Sequence, residues 1–379
     1  MKRIYLDNNA TTRLDPEVLN EMLPYLGNNC GNASSTHWFG QEARRGMDRA
    51  REQVANFIGA SADEIVFTGG GTEADNQALI GIFGAIGKPG SRIITTAIEH
   101  QAVLNSCRYL EKNGLSVTYL PVDGLGRIDL GALADSIDDD VILISIMLAN
   151  NEVGTIQPVR EAAAMAKSRG ILFHTDAVQA AGRIPVDVGE LGADLLSLSA
   201  HKFHGPKGCG ALFVRSGIPG PVLIHGGHHE RRRRAGTENV AAIAGFGRAC
   251  SLAATRLEDS SSVVGSLRDR LEKGILERIP GVKVNGCQQL RLPNTLNVSF
   301  EEVDGQLLAM NLDLVGIAVS TGSACQSDAN EPSYVLSAMG CSFGQATGCI
   351  RFSLSADNTE QEIDSVLDVL PDLAGRMRS

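Results

Sequence analysis

Val141-Ile142-Leu143-Ile144-Ser145-Ile146-Met147-Leu148 is almost wholly apolar and rich in β-branched side chains. A run of this kind fits a central strand covered on both faces. Similar short apolar runs lie on either side, at 65–68, 92–96, 117–120, 171–174 and 195–198, and helix-like stretches separate them. The alternation predicts an α/β domain built on a mostly parallel sheet. Residues 241–279, rich in Ala, Leu, Arg and Glu, suit one long helix or two joined helices leading out of that domain. Beyond them, 293–301, 318–320 and 350–354 read as strands and 359–373 as a closing amphipathic helix, which makes a smaller α+β domain.

With 379 residues, 43% of them hydrophobic, the chain can bury a substantial core. Its net charge of -10 gives no long-range attraction for nucleic acid or an anionic membrane, so the expected ligand is a small molecule. The eight cysteines, at 30, 107, 209, 250, 287, 325, 341 and 349, show no CxxC pair and no zinc-type spacing. They read as cytosolic thiols. The opening MKRIYLDNNATT has no apolar run that could serve as a signal peptide, and no stretch approaches the ~20 apolar residues of a membrane span. The expectation is a cytoplasmic protein.

Three strings carry chemistry. Thr68-Gly69-Gly70-Gly71-Thr72-Glu73-Ala74-Asp75-Asn76 follows a strand and opens a helix, so its glycines let backbone amides close around an anion while Thr72 adds a hydroxyl. An ordinary strand-to-helix turn with a capping threonine would look the same. His174-Thr175-Asp176-Ala177-Val178-Gln179 sets a carboxylate and a carboxamide at a strand's C-terminal end, where ligands of open α/β sheets sit. Asp176 could pair with a protonated ring nitrogen and Gln179 donate to a phenolate oxygen, although taken alone the aspartate reads first as a helix cap. Ser199-Ala200-His201-Lys202-Phe203-His204-Gly205-Pro206 ends another strand with a lysine flanked by possible phosphate donors, Ser199 and His201. That setting suits a Schiff-base lysine, whereas most lysines are solvated. In this order, with Glu99-His100 between the first two, the strings supply a phosphate cradle, a ring cover, a pyridinium partner and a covalent lysine, the parts of a pyridoxal-phosphate site.

At this point the chain resembles a known family. LDNNATT, GGGTEADN, EHQAV, NNEVGTIQP, HTDAVQAAG, SAHKFHGPKG, RRAGTEN, STGSACQS, EPSYVL and IRFSL run from Tyr5 to about Asp364 in the order found in the cysteine desulfurases of the nitrogen-fixation and iron-sulfur-assembly group. The resemblance implies a fold type I pyridoxal-phosphate transferase of the aspartate-aminotransferase kind. Its large seven-stranded-type sheet domain would span 13–255. The small α+β domain would join 1–12 to 256–379 and carry a catalytic loop at about 321–333.

It further implies that Lys202 binds pyridoxal 5'-phosphate covalently, that His100 stacks on the ring and shuttles protons, and that Asp176 and Gln179 contact the ring nitrogen and oxygen. Thr72, Ser199 and His201 would hold the phosphate, with Thr237 reaching in from the partner of a homodimer. Asn151 and Arg351 would clamp the carboxylate of L-cysteine, and Cys325 would take its sulfur as a persulfide for a protein acceptor. A planar guanidinium on a strand also suits a carboxylate on its own chemistry, unless the arginine faces outward.

Cys325 selects the reaction. It lies in a polar, glycine-containing stretch, 321–332, without apolar period, which predicts an exposed loop. A selenocysteine lyase or another pyridoxal-phosphate cysteine or cystine lyase would share every cofactor residue without needing that thiol. A non-catalytic scaffold in a sulfur-transfer assembly would need neither Lys202 nor Asp176. Gln326, the Asp328-Ala329-Asn330 tip, Gly348, Cys349 and Ser355 depart from the usual strings of the family.

Overall fold

The computed structural model describes residues 3–321 and 332–378. Their strands are β1 (Ile4–Tyr5), β2 (Ile65–Thr68), β3 (Arg92–Thr96), β4 (Ser116–Leu120), β5 (Val141–Ser145), β6 (Leu172–Asp176), β7 (Leu195–Ser199), β8 (Gly210–Val214), β9 (Val282–Asn285), β10 (Thr295–Phe300), β11 (Ile317–Ala318) and β12 (Cys349–Ser353). Seven of them form one sheet in the order β2-β8-β7-β6-β5-β3-β4. From β7 to β4 every pairing is parallel. β8 runs against both its neighbours.

The expected mostly parallel sheet is therefore present, and the six predicted runs coincide with six of its strands. β8 escaped the sequence reading. Its short Gly210-Ala211-Leu212-Phe213-Val214 follows the Gly205-Pro206-Lys207-Gly208 punctuation closely, so it returns beside β7 as an antiparallel neighbour instead of crossing over through a helix. All five residues of β8 are buried, as are all five of β7.

Helices cover both faces of this sheet. Gly71–Ile86 and Gln101–Lys112 lie over one face, where Ala78, Leu79 and Val103 pack with Val66, Ile93 and Leu212. On the other face Phe67, Ile144, Phe173 and Leu198 join the main apolar cluster with Val54 and Phe246. Side-chain alternation along each strand produces this division.

The stretch expected as one long or two joined helices is a single helix, Val240–Arg278. Its first half packs in the main cluster through Ala242, Phe246 and Ala249, and its second half packs in another cluster through Leu267, Leu271 and Ile275. That second cluster holds the antiparallel β9-β10-β12 sheet, the parallel β1-β11 pair and the Glu360–Met377 helix. β9 was not anticipated, because Val282-Lys283-Val284-Asn285 is too short and too polar to announce a strand.

Candidate active site

Three strands, the adjacent β6 and β7 and, on the far side of β8, β2, deliver the chemical strings to one edge of the sheet. β2 ends at Thr68 and the chain turns through Gly69 and Gly70 into the Gly71–Ile86 helix. Gly70 has φ +149°, a conformation that L side chains rarely adopt. A Cβ on Gly71 would lie 2.7 Å from Val178 Cγ2, and one on Gly210 would lie 2.8 Å from Gly70 Cα. The glycines are thus required by close backbone packing, and they leave the helix N-terminus open toward a pocket of about 710 Å³. Thr72, Ser199 and His201 line this pocket, as expected, together with Thr11 and Lys207. Hydroxyls, a lysine and a helix N-terminus make a donor set suited to a phosphate.

Glu73 also faces the pocket, and a carboxylate there would repel an anion. Its charge is offset by Arg234, whose Nε donates to Oε1 over 2.8 Å. The run Arg231 to Arg234 is therefore not simply a solvated basic loop: Arg234 neutralises Glu73, and Arg233 Nη2 donates to the Ile65 carbonyl at 3.0 Å. Glu230, Arg231 and Arg232 all have positive φ, and buried Glu230 anchors the bend by accepting from Arg51 at 2.7 and 2.8 Å and from the Phe67 amide at 2.9 Å. Thr237 lies just beyond, exposed and outside the pocket lining.

Asp176 ends β6 with 6% of its surface exposed. Its Oδ1 accepts from the Val178 amide at 2.8 Å, so it does close the following turn. Burial raises its pKa, opposed by the nearby His100 imidazole, that amide and the Lys202 ammonium. A buried carboxylate beside an ammonium and an imidazole also has the chemistry of a ring-nitrogen partner. His100 caps the Gln101–Lys112 helix through Nδ1, and its pKa is lowered by burial. Burial pushes His201 down to about 4, helped by Lys202. His201 is neutral near pH 7 and its Nδ1 lies 3.2 Å from the Thr11 hydroxyl.

Lys202 Nζ donates to the carbonyls of Asn9 and Ala10, at 2.6 and 2.9 Å. Asn9 O also accepts from Gln179 Nε2 at 3.0 Å, while Asn9 Nδ2 donates to the Asn151 carbonyl at 3.1 Å. The same Asn151 carbonyl receives Arg351 Nη1 at 3.0 Å. Arg351, in β12, is 3% exposed, which rules out an outward-facing strand arginine. Asn151 Oδ1 is buried without a hydrogen-bond partner. Lys202, Gln179, Asn151 and Arg351 therefore meet through Asn9, a residue to which sequence reading assigned no role.

A lysine at a strand end, a buried aspartate beside it, an imidazole and a phosphate-type cradle fit pyridoxal phosphate on donor chemistry alone. The comparisons agree. Residues 4–366 match the model of the aminotransferase class-V family. A cysteine desulfurase IscS of Methanosarcina thermophila is 49% identical over 100% of this chain and 93% of its own. The chain belongs to the cysteine desulfurases.

A cysteine desulfurase of Sinorhizobium fredii is 50% identical, covering 100% of this chain and 98% of its own. Among solved structures, a NifS-like protein superimposes with a TM-score of 0.93 at 42% identity, over 99% of this chain and 100% of that one. SspA in complex with cysteine gives 0.83 at 34% identity, over 94% and 100%. Members of this family are pyridoxal-phosphate enzymes, and the α/β fold with its large central sheet is theirs.

Cys325 lies outside the described residues. Of the other cysteines in this desulfurase, Cys107, Cys209 and Cys349 are buried and each thiol is pushed up to about 12, mainly by burial. They are unsuited to act as nucleophiles. Thr11, Lys207 and Glu73 were also missed as pocket residues, and Arg234 as the partner of Glu73. Lys207 stands in the quoted lysine string, and its Gly-flanked position was the one available sign.

Proposed function

We propose that this cysteine desulfurase moves the sulfur of L-cysteine onto Cys325 as a persulfide, releases alanine and passes the sulfur to a protein acceptor. The observation that carries the reading is the double engagement of Asn9, which holds Lys202 through its carbonyl and, through its side chain, the Asn151 carbonyl that also receives Arg351. This supports one pocket in which an amine and a guanidinium serve the same amino-acid substrate.

Pyridoxal phosphate, when bound, supplies an electron sink for a carbanion at the substrate Cα. Thr72, Ser199 and His201 hold its phosphate, joined by Thr237 of the partner subunit. Asp176 retains the proton on the ring nitrogen and Gln179 faces the ring oxygen. Arg351 and Asn151 orient the substrate carboxylate. Lys202 would hold the cofactor covalently and, as a free amine, would take the Cα proton, and His100, its pKa lowered by burial, would relay protons. The Cys325 thiolate then attacks the substrate sulfur. A sulfur-sulfur bond forms as the Cβ–Sγ bond breaks, the electron pair stays with Cβ, and protonation there gives alanine.

The functional unit in this reading is a cytoplasmic homodimer. Leu19, Leu23 and Leu26 on the Pro16–Leu26 helix, with Trp38 and Phe39, are exposed apolar side chains that support a subunit contact. No helix among the described residues is long and apolar enough to cross a membrane. The division into 13–255 and 1–12 with 256–379 draws support from two of the apolar clusters, one running from Val18 to Cys250 with Leu292 added and the other joining Ile4 and Leu6 to Val264 and beyond.

The test is to supply L-cysteine, measure alanine, and map persulfide sulfur by mass spectrometry. Alanine with sulfur on Cys325 is expected. Pyruvate as product, or alanine with no protein persulfide, would overturn the reading in favour of a lyase.

A further inference from the structure

Alternation along β6 puts His174 on the same face as Asp176, beneath the Gly71–Ile86 helix. The adjoining positions carry hydroxyls: Ser145 of β5 is the register partner of His174, and Ser197 of β7 is the register partner of Asp176. His174 Nδ1 lies 2.8 Å from Ser145 Oγ and Nε2 lies 3.0 Å from Ser197 Oγ, so both ring nitrogens have hydroxyl partners. With burial pushing His174 down to about 3, the ring is neutral.

Asp75 descends onto this polar row from the helix. It is 1% exposed, and its Oδ1 has no hydrogen-bond partner. The nearest group that could become a cation is His174, with Nε2 at 3.7 Å, beyond hydrogen-bonding range. The charged or titratable groups acting on Asp75 are two further carboxyls, Asp176 and Glu99, both buried, while Ser197 offers only a neutral hydroxyl. Lys202 and His100 act on Asp176.

Two interacting carboxyls buried in one low-dielectric site do not both ionise. The proton goes to the member with the poorer stabilisation of charge. Asp176 has the Val178 amide at 2.8 Å, with the Lys202 ammonium and the His100 imidazole beside it. Asp75 has an orphaned oxygen and neutral neighbours, and burial with the Asp176 charge drives its acid well above the ordinary range.

We propose that Asp75 is the protonated partner of Asp176, a positioning residue that leaves the single negative charge of the pair on the carboxylate facing the cofactor ring. The proposal rests on the reading of Asp176 as the ring-nitrogen partner. As a neutral acid, Asp75 adds no second charge behind that contact and keeps a polar cap over Ser197 and His174.

Infrared spectroscopy of the holoenzyme tests it. Burial raises Glu99 to about 8 and drives Asp75 well above its ordinary value, so the acid band of Asp75 is expected to persist at neutral pH. Asp75→Asn should remove the persisting band and Glu99→Gln should leave it. If Asp75→Asn removes a carboxylate band instead, or if nitrogen NMR shows His174 as an imidazolium, the proposal fails. Cofactor affinity gives a second readout: Asp75→Asn should bind within about threefold of wild type, and Asp75→Ala about tenfold more weakly. Equal weakening in both variants would show that a charge is needed at position 75, and would overturn the proposal. An Asp176→Asn enzyme with wild-type turnover would remove the ring-nitrogen reading alone, because the infrared assignment of the Asp75 proton does not depend on it.

Discussion

Arg351 bridges two partners within the chain: its Nη2 donates to the Asp7 carboxylate over 2.8 Å while Nη1 holds the Asn151 carbonyl. In the proposed reading a substrate carboxylate would share this guanidinium with Asp7. Arg351→Lys should raise KM for L-cysteine about tenfold to a hundredfold with a smaller change in kcat, since an ammonium cannot grip two oxygens in parallel. Asp7→Asn, which releases the guanidinium, should lower KM. Steady-state kinetics on both variants checks this, and an unchanged KM in Arg351→Lys would remove the clamp.

Lys202→Ala should leave a folded protein without covalently held cofactor. Borohydride reduction of the wild type followed by peptide mapping should find the label on Lys202. A label on Lys207, which lines the phosphate-side pocket, would move the attachment point.

Asp176→Asn keeps the turn closed, because its side-chain oxygen still accepts from the Val178 amide, but it no longer holds a proton on the ring nitrogen. Cofactor should remain bound while turnover falls about a hundredfold, or about 3 kcal/mol of barrier. Full turnover would reduce Asp176 to a capping residue.

Cys325→Ser should bind L-cysteine and change the cofactor's absorbance, yet release almost no alanine under reducing conditions, because a serine hydroxyl is a poor nucleophile toward sulfur. Normal alanine release, or persulfide found on Cys341 or Cys349, would refute the role of Cys325.

Glu99 sits fully buried with Oε2 unpartnered, and burial raises it to about 8 from 4.5. For an acid raised in the folded state, stability is fully present below the unfolded value and is lost as pH rises through the folded one. Wild-type Tm should therefore fall between pH 4.5 and about 8 from this group. Glu99→Gln has no charge to bury, so its Tm relative to wild type should climb across that window, by the equivalent of roughly a few kcal/mol. A flat difference would mean that Glu99 does not titrate there.

Much of this was legible in the sequence because its causes are local. Apolar runs marked six sheet strands, since a strand covered on both faces has no wet side to write into its pattern. The glycines at 69 to 71, Asp176 and Lys202 stood out because each follows such a run at a strand's C-terminal end. β8 and β9 were not legible: five buried residues after a turn, or four of mixed polarity, carry no period of their own.

Tertiary structure alone decided how the site is joined. Asn9 and Lys202 lie 193 positions apart, and Arg351 and Asp7 lie 344 apart, yet each pair is hydrogen-bonded. The same holds for Glu73 and Arg234, 161 apart, whose pairing turns an acidic side chain in a phosphate pocket from an obstacle into a neutral neighbour. Sequence determined which groups the protein owns and which local turns expose them. Which charges meet depended on packing, because a contact across hundreds of residues leaves no spacing, period or composition in either segment.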